Sequence, residues 1–227
     1  KLIIDVRNNE GGNLRLSDIL AYLFYDSNLN KQFFPMYYRL KASSTNLEVM
    51  LDFESSLNFY ELYNTNQQKS LLHDALSKNL EYTESAPMVS QQFLNSIEPG
   101  FFTKYAGKEI YLLVNSLCYS ACDAFVALLK DQNLVTKVIG EDAQTGGGGA
   151  SVLAFDIDYE NKFYFQTSFM QMQSKTESGF RLIEGEGTYA DCVFPKILQD
   201  FSTQDPIIND ENYINRVIQK LNRKECI

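Results

Sequence analysis

The residues most able to do chemistry sit at the junctions between apolar runs and helical patterns. Ser120 lies where the run Glu109–Val114 (EIYLLV) hands over to a helical pattern, Ser120 to Asp131. A serine at a helix N-terminus can present its hydroxyl beside free first-turn amides, and those amides with the helix dipole stabilise an oxyanion. Serine is also a favoured helix cap, so residue type alone leaves both roles open. The turn Asn8-Asn9-Glu10-Gly11-Gly12 follows another apolar run. Its two glycines let backbone amides approach a ligand and point the same way, or simply supply positive φ to a strand-to-helix turn. Two carboxylates, Glu184 and Glu186, sit in a glycine-spaced turn within 182–191, where exposed acids are usually solvated. The single histidine, His73, lies in a helical stretch and reads as a structural residue or a general base.

Other chemistries find less support. The run Gly146–Gly149 lacks the trailing Lys-Ser/Thr of a phosphate loop, and no G-x-G-x-x-G separates a strand from a helix. A flexible loop beside a cleft is expected there, not a nucleotide site. Cys118, Cys122, Cys192 and Cys226 are too sparse for a disulfide scaffold and lack C-x-x-C spacing for zinc. Cys118 and Cys122 can share a helix face, and buried thiols are the expectation. No metal and no cofactor are expected.

The elements that must position these residues alternate between strands and helices. Leu2 to Val6 reads as a buried strand. Leu16, Ile19, Leu20, Leu23 and Phe24 recur at helical spacing and predict the buried stripe of a first helix. Phe33 to Leu40 looks extended around Pro35. Residues 43 to 105 are rich in Ser, Asn, Gln and Tyr, with one helical candidate at Gln67 to Leu80, and read as an inserted, lid-like region. Strands are expected at Glu109–Val114, Val135–Ile139, Ser151–Ile157 and Lys162–Gln171. A last helix is expected from about Asp210, as N-cap, burying Ile214, Val217, Ile218 and Leu221. Alternation of this kind points to an α/β fold with a mainly parallel sheet.

Composition narrows the class of partner. Apolar residues are 44% and charged residues 22%, ordinary globular usage that excludes a wholly disordered chain. The net charge of −9, without a Lys/Arg cluster, speaks against nucleic acid and anionic membrane surfaces. No apolar run is long enough to cross a membrane. A core strand beginning at residue two is expected of a piece excised from a longer protein.

Four segments, in order, resemble the signatures of the tail-specific, or C-terminal processing, serine peptidases. LIIDVRNNEGG is similar to the family's strand followed by Asp-Leu-Arg-x-Asn-x-Gly-Gly. YLLVNSLCYSACDAFVALLKD resembles its strand leading to Ser-Ala-x-Glu and a helix ending in Asp. VIGEDAQTGGGG resembles its Val-Val-Gly-Glu strand and glycine loop, and EGEGTYADCVFP its closing Gly-Val-x-Pro-Asp segment. The resemblance spans the chain apart from the insertion. It implies a crotonase-like or ClpP-like α/β core and endopeptidase activity by acyl transfer to a protein or peptide substrate, outside the cytoplasm. Ser120 matches the nucleophile. The amide of Ala121, with one from Gly11 or Gly12, matches the oxyanion hole, and Asp131 matches a structural acid.

One departure matters. The lysine base of well-known members is missing: its place reads Thr145-Gly146-Gly147-Gly148, and Lys137 lies before Gly140. A branch of the superfamily, including the chlamydial secreted protease and tricorn-type proteases, uses Ser-His-Glu instead. Its histidine precedes the Asp-Leu-Arg strand. Glu184, with Glu186 as alternate, occupies the glutamate's place. The resemblance then puts the base in an N-terminal part of the same chain, and the 227 residues alone would be weakly active or inactive. A binding module of the same superfamily, with altered catalytic residues, is the competing expectation; an acyl-CoA enzyme of the crotonase type has no support.

Overall fold

The computed structural model describes residues 1–25, 32–48, 65–97, 109–148, 152–158, 163–168 and 170–226. Gly149, Ser151 and Lys162, and residues 49–64 and 98–108 of the expected insertion, lie outside the described residues.

Four strands form a wholly parallel sheet in the order β1-β4-β5-β10: β1 (Leu2–Asp5), β4 (Ile110–Val114), β5 (Lys137–Gly140) and β10 (Cys192–Val193). Strand β4 is buried along its whole length, as its unbroken apolar run requires of a strand covered on both faces. Its period of two divides it between two cores. Leu112 and Val114 join the larger cluster with Val138, Leu128 and Leu129, while Tyr111 and Leu113 join Ile139, Tyr213, Val217 and Leu221. Helices α1 (Leu14–Tyr22) and α4 (Ala121–Asp131) lie against the first face, and α5 (Pro206–Asn222) covers the second.

A second, antiparallel sheet accompanies the expected parallel one. Strands β3 (Ala86–Pro87), β2 (Tyr37–Leu40), β8 (Met170–Thr176) and β9 (Gly179–Leu182) pair antiparallel in that order. Strands β6 (Val152–Asp158) and β7 (Phe163–Ser168) form a separate antiparallel pair. The antiparallel sheet packs its Leu40 and Met172 into the same cluster as α4. Residues 43 to 105 contribute to that cluster too, through Leu72 of α2 (Thr65–Ser77), Met88, and Leu94 of α3 (Gln91–Ser96).

Three expectations about particular residues are corrected. Helix α1 buries Leu14, Arg15, Ser17, Asp18, Ala21 and Tyr22, while Leu16 and Leu20 are exposed. Leu16 and Leu20 of the expected stripe therefore face away from the core, while Phe24 packs against it. Helix α5 starts at Pro206, with Asp205 as N-cap accepting the Ile207 N–H at 2.8 Å. Asp210 instead pairs with Lys196 (2.9 Å) and Arg7 (3.4 Å), and Ile218 is only partly covered, at 37% exposure. The Asp-Pro pair at the helix start was the readable signal, since proline suits the first helical position. Finally, the cysteines form two disulfides, Cys118–Cys122 and Cys192–Cys226, and are not thiols. Cys118 precedes α4, so the chain between the pair is turned, and their Cα atoms approach to 5.3 Å.

Candidate active site

The turns after β1 and β4 meet at the carboxyl ends of adjacent parallel strands. Asn8 and Asn115 tie them by a reciprocal pair: the Asn8 N–H donates to Asn115 Oδ1 (3.0 Å), and Asn115 Nδ2 donates to Asn8 Oδ1 (2.9 Å). The Ser17 hydroxyl of α1 donates to the Ala121 carbonyl at 2.6 Å, fixing α1 against the start of α4. These bonds bring Gly11 onto Ser120. A Cβ on Gly11 would lie 2.7 Å from the Tyr119 carbonyl oxygen, 2.8 Å from Ser120 Cβ and 3.0 Å from the Ala121 nitrogen. Gly11 also has φ +100°, so close approach and backbone conformation both require glycine.

Ser120 occupies the N-cap position of α4, but its side chain caps nothing. Its backbone stands at φ +58°, ψ −123°, a region that costs an ordinary residue about 1–3 kcal/mol. A serine on such a sharp strand-to-helix turn exposes its hydroxyl above the sheet. Among the described residues that hydroxyl has no hydrogen-bond partner. The Ala121 amide beside it has no acceptor among the described residues, nor does that of Gly12. The Gly11 amide, by contrast, donates to Asn9 Oδ1 at 2.9 Å. Of the two glycines expected to supply an oxyanion donor, Gly12 carries the available N–H.

The described part of the glycine loop, Gly146–Gly148, is hydrogen-bonded to both of its neighbouring segments. The Gly146 N–H donates to the Cys118 carbonyl (2.9 Å), and the Gly147 carbonyl accepts the Ser120 N–H (3.0 Å). The Gly148 N–H reaches the Ile183 carbonyl (3.0 Å), and a Cβ there would fall 3.2 Å from Glu184 Oε1. The loop thus links the Ser120 turn to the segment carrying Glu184. Glu184 Oε1 accepts the Met172 N–H at 3.1 Å and is half-buried, whereas Glu186 is exposed.

Asp123, one helical turn beyond Ser120, closes the arrangement and was missed by sequence reasoning. Its carboxylate accepts the Thr145 hydroxyl at 2.7 Å, and Thr145 Oγ1 accepts the Thr188 N–H at 2.7 Å. Burial pushes the Asp123 carboxyl above the ordinary range, opposed by the hydrogen bond from Thr145. An acid inside an apolar helix pattern, three residues past the serine, was the available signal.

The remaining candidates lie apart from Ser120. His73 is exposed on α2, Lys175 lies over the rings of Phe34, Tyr37 and Phe180, and Lys137 opens β5 at the opposite end of the strand. Asp131 accepts Nε and Nη2 of Arg181 at 3.0 and 2.8 Å, a structural tie at the far end of α4. Beside Gly11 and Ala121 opens an apolar groove of about 470 Å³, lined by Ile4, Val6, Leu16, Leu20, Phe24 and Phe125. The exposed stripe of α1 is one wall of this groove.

A family model described as peptidase family S41 matches residues 1–193. A search of curated proteins returns no match. Among solved structures, mature CPAF with lactacystin bound is similar over 96% of this chain and 42% of its own, at 18% identity and TM-score 0.63. Mature CPAF alone gives 20% identity and TM-score 0.60, over 98% of this chain and 44% of that one. A candidate peptidase from Parabacteroides merdae gives 17% identity and TM-score 0.52, over 97% of this chain and 51% of its own. These likenesses are of fold. The chain spans about half the length, or less, of each of the three structures.

Proposed function

The chain belongs to peptidase family S41, and from that premise we propose that residues 1–227, with 43–105 as an insertion, form the catalytic domain of a serine endopeptidase. Ser120 Oγ attacks the scissile carbonyl carbon while a base accepts its proton. The developing oxyanion is held by the amides of Ala121 and Gly12, at the positive end of α4. Collapse of the tetrahedral species expels the amine, which takes the proton, and water then hydrolyses the acyl-enzyme by the same steps. Glu184, steadied by the Met172 amide, orients the base. That base is a histidine on chain preceding Lys1, as in the Ser-His-Glu branch. The disulfides suit an extracytoplasmic site, where such bonds persist. No described helix is long and apolar enough to cross a membrane.

One observation carries this reading: a serine in the N-cap position, at positive φ, whose hydroxyl caps nothing. A capping role would leave the strain without a purpose. In the full-length protein a fluorophosphonate is expected to modify Ser120, and Ser120→Ala to abolish labelling and peptide cleavage together. The apolar groove favours one other reading, a binding module for an apolar peptide or ligand. Failure of the intact protein to label, with an apolar ligand held in the groove, would establish that reading instead.

A further inference from the structure

The Cys118–Cys122 disulfide brackets Ser120 symmetrically, two residues to either side. Cys118 and Cys122 are both buried, so the bridge sits inside the turn and not on the surface. Its position has a conformational consequence. The alternative open to a strained residue at a helix start is to relax into the helix, letting α4 begin a turn earlier. In a continuous helix, residues four apart have Cα atoms roughly 6.2 Å apart, from the rise and radius, and Cβ atoms about 5–6 Å apart. A disulfide needs Cβ atoms about 3.5–4.5 Å apart. Here the Cα atoms stand at 5.3 Å because the chain doubles through Ser120 at φ +58°. The bridge and a regular helix through 118–122 exclude each other.

Noncovalent ties act on the same turn but do not replace the bridge. The Cys118 carbonyl accepts the Gly146 N–H at 2.9 Å, and the Ser120 N–H donates to the Gly147 carbonyl at 3.0 Å. Both bonds run to the glycine loop and tie the turn to a neighbouring segment. The disulfide is the element that constrains the turn within itself.

We propose that the Cys118–Cys122 disulfide is a positioning device for the nucleophile: it holds Ser120 in the positive-φ conformation that keeps its hydroxyl and the Ala121 amide available, and the reduced turn loses that competence. This rests on the reading of Ser120 as nucleophile. Both groups are positioning residues, since neither touches the reacting atoms.

Trypsin releases residues 109–130 as one peptide, which carries Ser120 and both cysteines and so reports them on the same molecule. The full-length protein is partly reduced with dithiothreitol, whose two thiols close to a disulfide as the bridge gains two electrons and two protons. It is then exposed briefly to a fluorophosphonate, denatured, alkylated and digested. The serine adduct, formed as fluoride leaves phosphorus, is expected mainly in disulfide-bonded peptide. The reduced, alkylated peptide should carry it roughly tenfold to a hundredfold less, the scale on which small misplacements act. Replacing Cys118 and Cys122 by serine should lower the labelling rate and kcat while leaving KM little changed. Replacing Cys192 and Cys226 by alanine should leave the labelling rate of the folded protein as it was. Equal adduct in the oxidised and reduced peptides overturns this proposal alone. No adduct in the fully oxidised wild-type protein overturns the nucleophile assignment first, and this one with it.

Discussion

Helix α5 begins with Asp205 in extended backbone, accepting the Ile207 N–H at 2.8 Å, and with proline in its first turn. Helix α4 begins with Ser120 at φ +58°, with no side-chain cap and an unengaged Ala121 amide. Both starts carry a residue type favoured as an N-cap. The difference is what each leaves available. In α5 the side chain satisfies a first-turn donor and adds stability. In α4 the hydroxyl and the first-turn amide both stay open, and the surroundings hold the backbone where it would not rest unaided. Helix α1 behaves as α5 does, since Asn13 accepts the Arg15 N–H at 3.0 Å. Among the α-helices whose N-caps are described, α1, α3, α4 and α5, the start that declines its own cap is that of the helix facing Gly11.

The largest effect that could break this comparison is at Ser120 itself. Ser120→Ala removes no hydrogen bond among the described residues, so unfolding stability should stay within about 0.5 kcal/mol of wild type. Peptidase activity should fall by about 10⁴ or more, as expected when a nucleophile is removed. A lowered denaturation midpoint with unchanged turnover would make the two helix starts equivalent after all.

Gly11→Ala comes next. The new methyl would meet the Tyr119 carbonyl at 2.7 Å and Ser120 Cβ at 2.8 Å, at a φ of +100°. Displacing Ser120 from the proposed oxyanion donors should cost about 10²–10³ in kcat, together with about 1–3 kcal/mol of backbone strain. Gly12→Ala provides the contrast, because a Cβ there meets nothing within 4 Å. Steady-state kinetics of the pair separates crowding from strain.

Helix α1 sharpens the comparison from another side, since it is normally capped yet buries a carboxyl. Burial pushes Asp18 up to about 8, opposed by the hydrogen bond from the Met36 amide (2.6 Å). The unfolded chain releases that proton near pH 4, while the folded chain keeps it until about pH 8. The contribution is thus fully present below about pH 4 and is lost as pH rises toward 8, with a limiting slope near 1.4 kcal/mol per pH unit. Asp18→Asn should flatten the dependence of stability on pH between about 5 and 7.5, measured by denaturant unfolding. An unchanged slope would mean the carboxyl is ionised in the folded state.

The smallest expected effect mirrors the first. Asp205→Ala should cost about 0.5–2 kcal/mol of stability through the lost cap, and leave turnover of the folded protein unchanged. Thermal melting beside initial rates would establish this.

Much of the scaffold was legible because short-range periodicity carries it. The runs at Leu2–Val6 and Glu109–Val114 became neighbouring strands, and the pattern 120–131 became α4. Within the candidate site, Ser120, Gly11 and Gly12 could be named from residue type and position at strand ends. What Ser120 does with its hydroxyl could not, since a capping and an uncapping serine read alike in one dimension. Asp123 was hidden for a related reason: its meaning lies in Thr145 and Thr188, 22 and 65 residues away by their numbers. The Cys118–Cys122 disulfide was missed because a pair four apart looks helical until the turn between them is known, and Cys192–Cys226 because its partners are 34 apart in sequence and meet only in the fold.

The sequence by itself determined the strands β1 and β4 and the helices α1, α4 and α5, since alternation of period two and stripes of period 3.6 are properties of the local backbone. It also determined that two glycines and a serine stand at strand ends. Tertiary structure alone decided which face of α1 is buried, placing Ala21 and Tyr22 inside and Leu16 and Leu20 along the groove. It decided that Gly147 meets Ser120 and that Gly148 meets Glu184. The physical reason is that a local pattern specifies a surface, while burial and contact depend on which second surface arrives to cover it.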